Sequence, residues 1–320
     1  MKNVSIITSV FLLLSASICL SQHPVDQGKQ LFHGGKYHDA KSVFEQVLRS
    51  DPHNAEANYF LGRIYFESGD LDESEDYLEK AIEADEKKID YHLSLATVYQ
   101  EKTRRASFLS APFLARKWLN ELERAFELDP RYLEARKRLI QYYLNAPGIG
   151  GGDKEKGKRL AGETIELDEI QGRLLLASAL NRTDKTELAI EEYNRVLKLD
   201  PQNGSAHNSL GYIFLKRKDF GAAEINFTKY IEVAPQNPNA YDSMGEFYSQ
   251  RGMIDSAITQ FQKALAVDAK FSESRFKLAQ AFAEKKMKKE AIHHLQTLLK
   301  LTPSHIRANE AKDLLEDLED

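Results

Sequence analysis

The chain has 320 residues, 44 basic and 49 acidic, for a formal net charge of −5; 42% of the residues are hydrophobic and 29% charged. Those proportions exclude a disordered or fibrous chain and argue against a general nucleic-acid binder, which needs a concentrated positive surface. Cys19 is the only cysteine, so neither a disulfide framework nor a thiolate zinc site is available.

Residues 1–21 read as an address. Lys2 gives a positive start, Ile6 to Leu14 is apolar apart from Thr8 and Ser9, and Ser15, Ala16, Ser17 and Ser21 are small. This is the pattern of a signal peptide, and its apolar stretch is too short for an ordinary transmembrane helix. Cleavage after Ser21 is expected to leave Gln22 first, with export to a periplasm or the extracellular space. A lipid anchor on Cys19 is disfavoured because Ile18 is bulky where lipoprotein signals carry a small residue. No later segment approaches the ~20 apolar residues of a membrane span.

From residue 22 onward one unit recurs every 34 residues. Ala189, Ala223, Ala257 and Ala291 form one column, and Tyr193, Phe227, Phe261 and Leu295 another. Gly28, Gly62, Ala96, Ala177, Gly211, Gly245 and Ala279 form a small-residue column, and Gly35, Gly69 and Gly252 a second. Pro201, Pro235 and Pro303 close their units. The columns fit a helix-turn-helix in which small residues let two helices approach and a final proline stops the second.

These columns resemble the tetratricopeptide repeat. The resemblance implies an all-α, right-handed solenoid of about eight repeats over 22–305, with units near 21–54, 55–88, 89–132, 133–169, 170–203, 204–237, 238–271 and 272–305. Within 306–320, Ala311, Leu314, Leu315 and Leu318 share one helical face, as expected of a helix that caps the stack. Although length alone suggests two globular domains, such an array has no single compact core.

Two units lengthen the turn between their helices. The third holds ten extra residues around Lys102, Arg104, Arg105, Phe108 and Leu109, with a second helix expected from near Pro112 to Leu128. The fourth reads Tyr143-Leu144-Asn145-Ala146-Pro147-Gly148-Ile149-Gly150-Gly151-Gly152-Asp153, where Pro147 should stop one helix near Asn145 and Asp153 should cap the next. An insertion followed by an Ala-Pro-Gly-Ile-x-Gly-Gly-like turn resembles an exported bacterial subgroup of tetratricopeptide proteins, and that resemblance brings no established activity.

The glycine turn is not a phosphate loop: Asp153 precedes Lys154, and Glu155 stands where Ser or Thr would bind magnesium. The histidines lack metal-ligand spacing, and no nucleophile triad has its strand-turn-helix context. No enzyme, cofactor or metal is therefore expected.

What remains is surface. In the repeat family, first helices line a concave groove, which maps here to Tyr59, Arg63, Lys137, Gln141, Ser178, Asn181, Asn208, Tyr212, Asp242 and Glu246. Lys29, Arg63 and Lys137 would make one half basic, and Asp242 and Glu246 the other acidic, with Tyr212 as an exposed anchor. The family's chaperone-tail clamp is excluded, because Lys137 fits it but Gln141 and Leu175 do not. The expected function is a non-catalytic scaffold for a partner peptide or helix. Its rivals are a receptor for a small anionic or carbohydrate ligand and an auxiliary subunit of a cell-envelope enzyme. A small anion would be held where the two lengthened turns meet, by Lys102, Arg104, Arg105, Lys154 and the backbone of Gly148, Gly150, Gly151 and Gly152 over an apolar floor of Phe108 and Leu109.

Overall fold

The computed structural model describes residues 24–302 and 307–319. The expected leader at 1–21, Cys19 and the cleavage point before Gln22 lie outside them. The chain forms two compact units, the first reaching Asp129 and the second starting at Pro130.

In the first unit, α1 (Pro24–His33) pairs with α2 (Tyr37–Ser50), α3 (Ala55–Ser68) with α4 (Leu71–Ala84), and α5 (Ile89–Arg105) with α6 (Ala111–Leu128). In the second, α7 (Leu133–Asn145) pairs with α8 (Lys154–Thr164), α9 (Glu169–Arg182) with α10 (Thr186–Leu199), and α11 (Gly204–Lys216) with α12 (Phe220–Val233). There, α13 (Pro238–Gln250) pairs with α14 (Ile254–Val267) and α15 (Ser272–Glu284) with α16 (Lys288–Leu301), and α17 (Ala308–Glu319) ends the unit. No strand occurs among the described residues, and none of their helices is long and apolar enough to cross a membrane.

The two glycine columns have different causes. At Gly28, Gly62, Gly211 and Gly245 the second helix of the pair lies against the backbone. A Cβ there would fall 2.5–2.6 Å from Phe44, Leu78, Phe227 and Phe261 respectively. Gly35, Gly69 and Gly252 instead close the turn between paired helices with φ of 73°, 84° and 69°. Asp184, Lys218 and Lys286 hold the same turn position in other pairs, at φ of 58°, 61° and 60°. A Cβ makes that left-handed backbone costly, by about 1–2 kcal/mol. In two of these six turns the next residue caps the second helix with its side chain: Asp70 accepts from the Glu73 amide at 3.3 Å and Asp219 from the Ala222 amide at 3.1 Å.

A polar column was not foreseen. Near the start of several first helices a side chain donates back to the carbonyl six residues earlier. Asn58 Nδ2 reaches the Pro52 oxygen at 3.1 Å, His92 Nε2 the Glu86 oxygen at 2.9 Å, and Arg136 Nη1 the Pro130 oxygen at 2.7 Å. His207 Nε2 reaches the Pro201 oxygen at 3.1 Å and Arg275 Nη2 the Ala269 oxygen at 2.5 Å. Most of these donors also bond the second helix of their own pair: His92 Nδ1 to Glu121 at 2.7 Å, His207 Nδ1 to Asn226 at 3.4 Å, and Arg275 Nη1 to His294 at 3.4 Å. Each entry loop is thereby latched to its helix pair, which satisfies a carbonyl that a proline or turn leaves without a helical donor.

The ten extra residues of the third repeat lengthen a hairpin. By comparison with α3 and α4, α5 runs on for three residues and α6 starts four earlier, and residues 106–110 replace the two-residue link 69–70. At 1.5 Å per residue the tip stands about 5 Å beyond its neighbour's.

Candidate partner-binding site

Most of the groups expected to hold an anion at the lengthened turns are engaged within their own unit. Lys102, Arg104 and Arg105 belong to the first unit and Gly148 to Lys154 to the second. Lys102 Nζ lies 2.6 Å from Asp72 and also bonds Glu75; Arg104 and Arg105 both clasp Glu101, with Nε distances of 2.8 and 2.7 Å. Burial works to raise the Glu75 carboxyl, but Lys102, Lys117 and the Tyr99 hydroxyl hold it below the usual range. Phe108 and Leu109 form no floor: they are 92% and 87% exposed.

In the glycine turn the amides are consumed internally. Gly150 and Gly152 donate to the Pro147 oxygen at 2.9 and 3.1 Å, and Gly151 donates to the Gly148 oxygen at 2.9 Å. The Tyr142 hydroxyl donates to the Gly150 oxygen at 2.5 Å, and Asp153 accepts from the Lys156 amide at 2.9 Å as the cap of α8. A Cβ on Gly152 would sit 1.8 Å from the Ala146 oxygen, so the tight turn itself requires glycine. Those three glycine amides are thereby spent within the turn.

Lys154 serves elsewhere. With Ser178, Asn181, Asn208, Tyr212 and Gln250 it lines a cavity of about 920 Å³ within the second unit, built by the first helices α9, α11 and α13 with the start of α8. Arg182, Lys216 and Arg217 add positive charge around it against the single carboxylate of Asp184. Lys154 Nζ reaches the Arg182 carbonyl at 3.4 Å, and Thr186 Oγ1 donates to Asn181 Oδ1 at 3.3 Å. On α11 the Oδ1 atom of Asn208 is buried without a hydrogen-bond partner. An acceptor left so is costly.

Tyr212 and the acidic pair depart from expectation. Tyr212 is half-buried, packs edge-on against Phe227 at 5.1 Å, and its hydroxyl donates to Ser243 Oγ at 3.2 Å or Glu246 Oε2 at 3.3 Å. Asp242 is 2% exposed, not a groove carboxylate. Ser274 donates to its Oδ1 at 2.6 Å, and Lys277 Nζ binds Asp242 at 2.8 Å and Glu246 at 2.9 Å. Burial alone would lower the Lys277 ammonium; the two carboxylates hold it above its ordinary value. Lys277 therefore offsets one of the two negative charges of the acidic half. Lys277 was missed because it lies one repeat further along the chain, at a position with no column of its own.

The other groove residues divide. Tyr59 and Arg63 line a cleft of about 460 Å³ in the first unit with Asp90, Ser94 and Thr97. Tyr59 stacks on Tyr91 at 4.7 Å, and the Arg63 guanidinium lies 4.6 Å over Phe32. Lys29 is tied to Glu56 at 2.7 Å. Lys137 lines a smaller cleft of about 280 Å³ between α7 and α9, and Gln141 stays on the exposed face of α7, outside these cavities. Among the described residues no group of three or more His, Cys, Asp or Glu is arranged to hold a metal.

The repeated pairs, their glycine contacts and their loop latches recur where the sequence columns recur. Family models described as tetratricopeptide repeat match residues 31–97, 204–237 and 246–306, and one described as TPR repeat matches residues 178–217. The chain carries tetratricopeptide repeats. Superkiller complex protein 3 of Mus musculus is 25% identical over 240 residues, covering 63% of this chain and 15% of that protein. The Homo sapiens protein of that name is 25% identical over 232 residues, covering 61% of this chain and 14% of its own length. The match thus spans only a small part of these curated relatives. A tetratricopeptide repeat protein from Parabacteroides merdae superposes with a TM-score of 0.58 at 14% identity, over 93% of this chain and 98% of that one, which shows the shared fold. The Cut9–Hcn1 hetero-tetramer of the APC/C gives a TM-score of 0.48 at 17% identity, over 93% of this chain and 55% of its own. Such repeats are general protein-interaction scaffolds, and the helical solenoid is the architecture they share.

Proposed function

We propose that this protein is an exported, non-catalytic scaffold that binds an extended, carboxylate-bearing segment of a protein partner in the large cavity of its second unit. The observation that carries the reading is Asn208, a residue that lines a basic-rimmed cavity of about 920 Å³ and whose buried Oδ1 has no hydrogen-bond partner. A side-chain amide in that setting pairs with a peptide backbone, accepting from N–H and donating to C=O. Lys154, Arg182 and Lys216 supply the complement to carboxylates. Export rests on the leader pattern of residues 2–21.

The test is site-specific photo-crosslinking in the native cell. A crosslinker at Asn181 should capture one defined protein, and one at the exposed Lys229 on α12 should not. Asn208→Ala should then weaken binding of that partner by ~2 kcal/mol, the range of a hot spot. It is a cleaner probe than Tyr212→Ala, because Tyr212 also packs against Phe227. Equal capture at both positions, or unchanged affinity in Asn208→Ala, sinks the reading.

A further inference from the structure

The extended α5–α6 hairpin presents its apolar residues where packing gives them no reason to be. Its tip is a tight turn: the Ser110 amide donates to the Ser107 oxygen at 3.1 Å, and the two serine hydroxyls meet at 2.9 Å. Phe108 and Leu109 hold the two central positions of that turn, which ordinarily go to Gly, Asn, Asp or Pro. Phe113, in the first turn of α6, is 67% exposed. Three large apolar side chains within six residues are thus exposed at the end of the hairpin, and water covers nearly all of two of them.

Charge is equally local. Residues 101–117 contain Lys102, Arg104, Arg105, Arg116 and Lys117 against one acidic residue, Glu101, in a chain whose net charge is −5; with Asp72 and Glu75 on α4 counted as well, the basic groups still outnumber the carboxylates they engage. Arg116 is exposed one helical turn after Phe113, and Lys117 Nζ lies 5.8 Å from the centre of the Phe113 ring. A protein pocket that received this tip would have to bury guanidinium groups beside the rings. A lipid interface accepts apolar side chains below and arginines at the headgroups at once.

We propose that the α5–α6 tip docks on an anionic lipid surface. Phe108, Leu109 and Phe113 enter the boundary between headgroups and acyl chains, Arg116 meets the lipid phosphates, and Arg104 and Arg105 join it by exchanging part of their contact with Glu101. This is peripheral attachment through one hairpin, distinct from the cavity of the second unit.

Vesicle flotation of the purified protein tests it. Wild type should float with phosphatidylcholine vesicles containing about 30% phosphatidylglycerol, should not float with phosphatidylcholine alone, and should be released by raised salt. The triple variant Phe108→Ser, Leu109→Ser, Phe113→Ser should lose roughly tenfold or more in partitioning while keeping the wild-type thermal melt. Arg104→Ser with Arg105→Ser and Arg116→Ser should lose binding to the anionic vesicles to a similar extent. Absence of flotation, or full flotation of the apolar triple variant, overturns the proposal. So does a wild-type dimer that the apolar triple variant converts to monomer without any vesicle binding, which would assign the tip to a second copy of the chain.

Discussion

Protonation of His92 closes a link that protonation of His294 would break. Both ring nitrogens of His92 face acceptors, Glu121 and the Glu86 carbonyl, so the ring is best bonded as imidazolium. Burial works against that charge, but the hydrogen bonds to Glu121 and Glu86 carry the pKa above its ordinary 6.5. Its contribution is complete below about pH 6.5 and fades as pH rises through the folded value. His294 has the reverse sign: burial first, then Arg275 and His293, push it down to about 4. The unfolded chain therefore takes up the proton first, and stability is lost as pH falls from about 6.5 to about 4. His294→Gln should flatten that acid limb by roughly 1–2 kcal/mol, allowing for partial solvent exposure, as measured by urea midpoints at several pH values. An acid limb unchanged by the substitution would place the titration elsewhere.

At the scale of the helix pair, the two glycine columns give substitutions of opposite sign. Gly211→Ala forces a methyl into the Phe227 ring, and overpacking of about 1–3 kcal/mol exceeds the gain of about 1 kcal/mol in helix propensity. Lys286→Gly removes a Cβ from a left-handed turn and should stabilise by up to about 1 kcal/mol. Urea denaturation of both variants checks the pair. Residue type made the glycine, alanine and aromatic columns legible, along with the turn at Pro147 and the second helix that starts beside Pro112, α6 at Ala111–Leu128. It hid Asp184, Lys218 and Lys286, since nothing in a lysine advertises positive φ. It hid the loop latches as well, because Asn, His and Arg share only an N–H that reaches back. The misjudged exposure of Phe108 has a simple cause: apolar residues are assumed to be covered, and a turn centre covers nothing.

Across the second unit, side chains from different repeats meet in ways a 34-residue ruler does not show. Asp242 and Lys277 form their ion pair 35 positions apart, and Lys154 joins a cavity whose other walls come from α9, α11 and α13. The end of the unit is closed by α17. Ala311 is fully buried there, and Leu314, Leu315 and Leu318 pack on Phe276, Ala279, Leu295 and Leu298. Ending the chain at 306 would uncover these residues, at roughly 2 kcal/mol per large side chain, and Ala311→Asp should mimic much of that loss. Circular dichroism during urea denaturation should show both variants unfolding at lower denaturant; an unchanged midpoint would make α17 dispensable.

The latches have a consequence for how such a chain grows. Carbonyl, donor and second-helix partner all fall inside one period: Pro201, His207 and Asn226 in one case, Ala269, Arg275 and His294 in another. A duplicated or deleted stretch of 34 residues that begins at such a carbonyl therefore carries a complete latch with it. Copy number can drift by gene duplication without repair of such joints, while the chemistry at each joint diverges independently, to imidazole and amide in one copy and to guanidinium and imidazole two copies on.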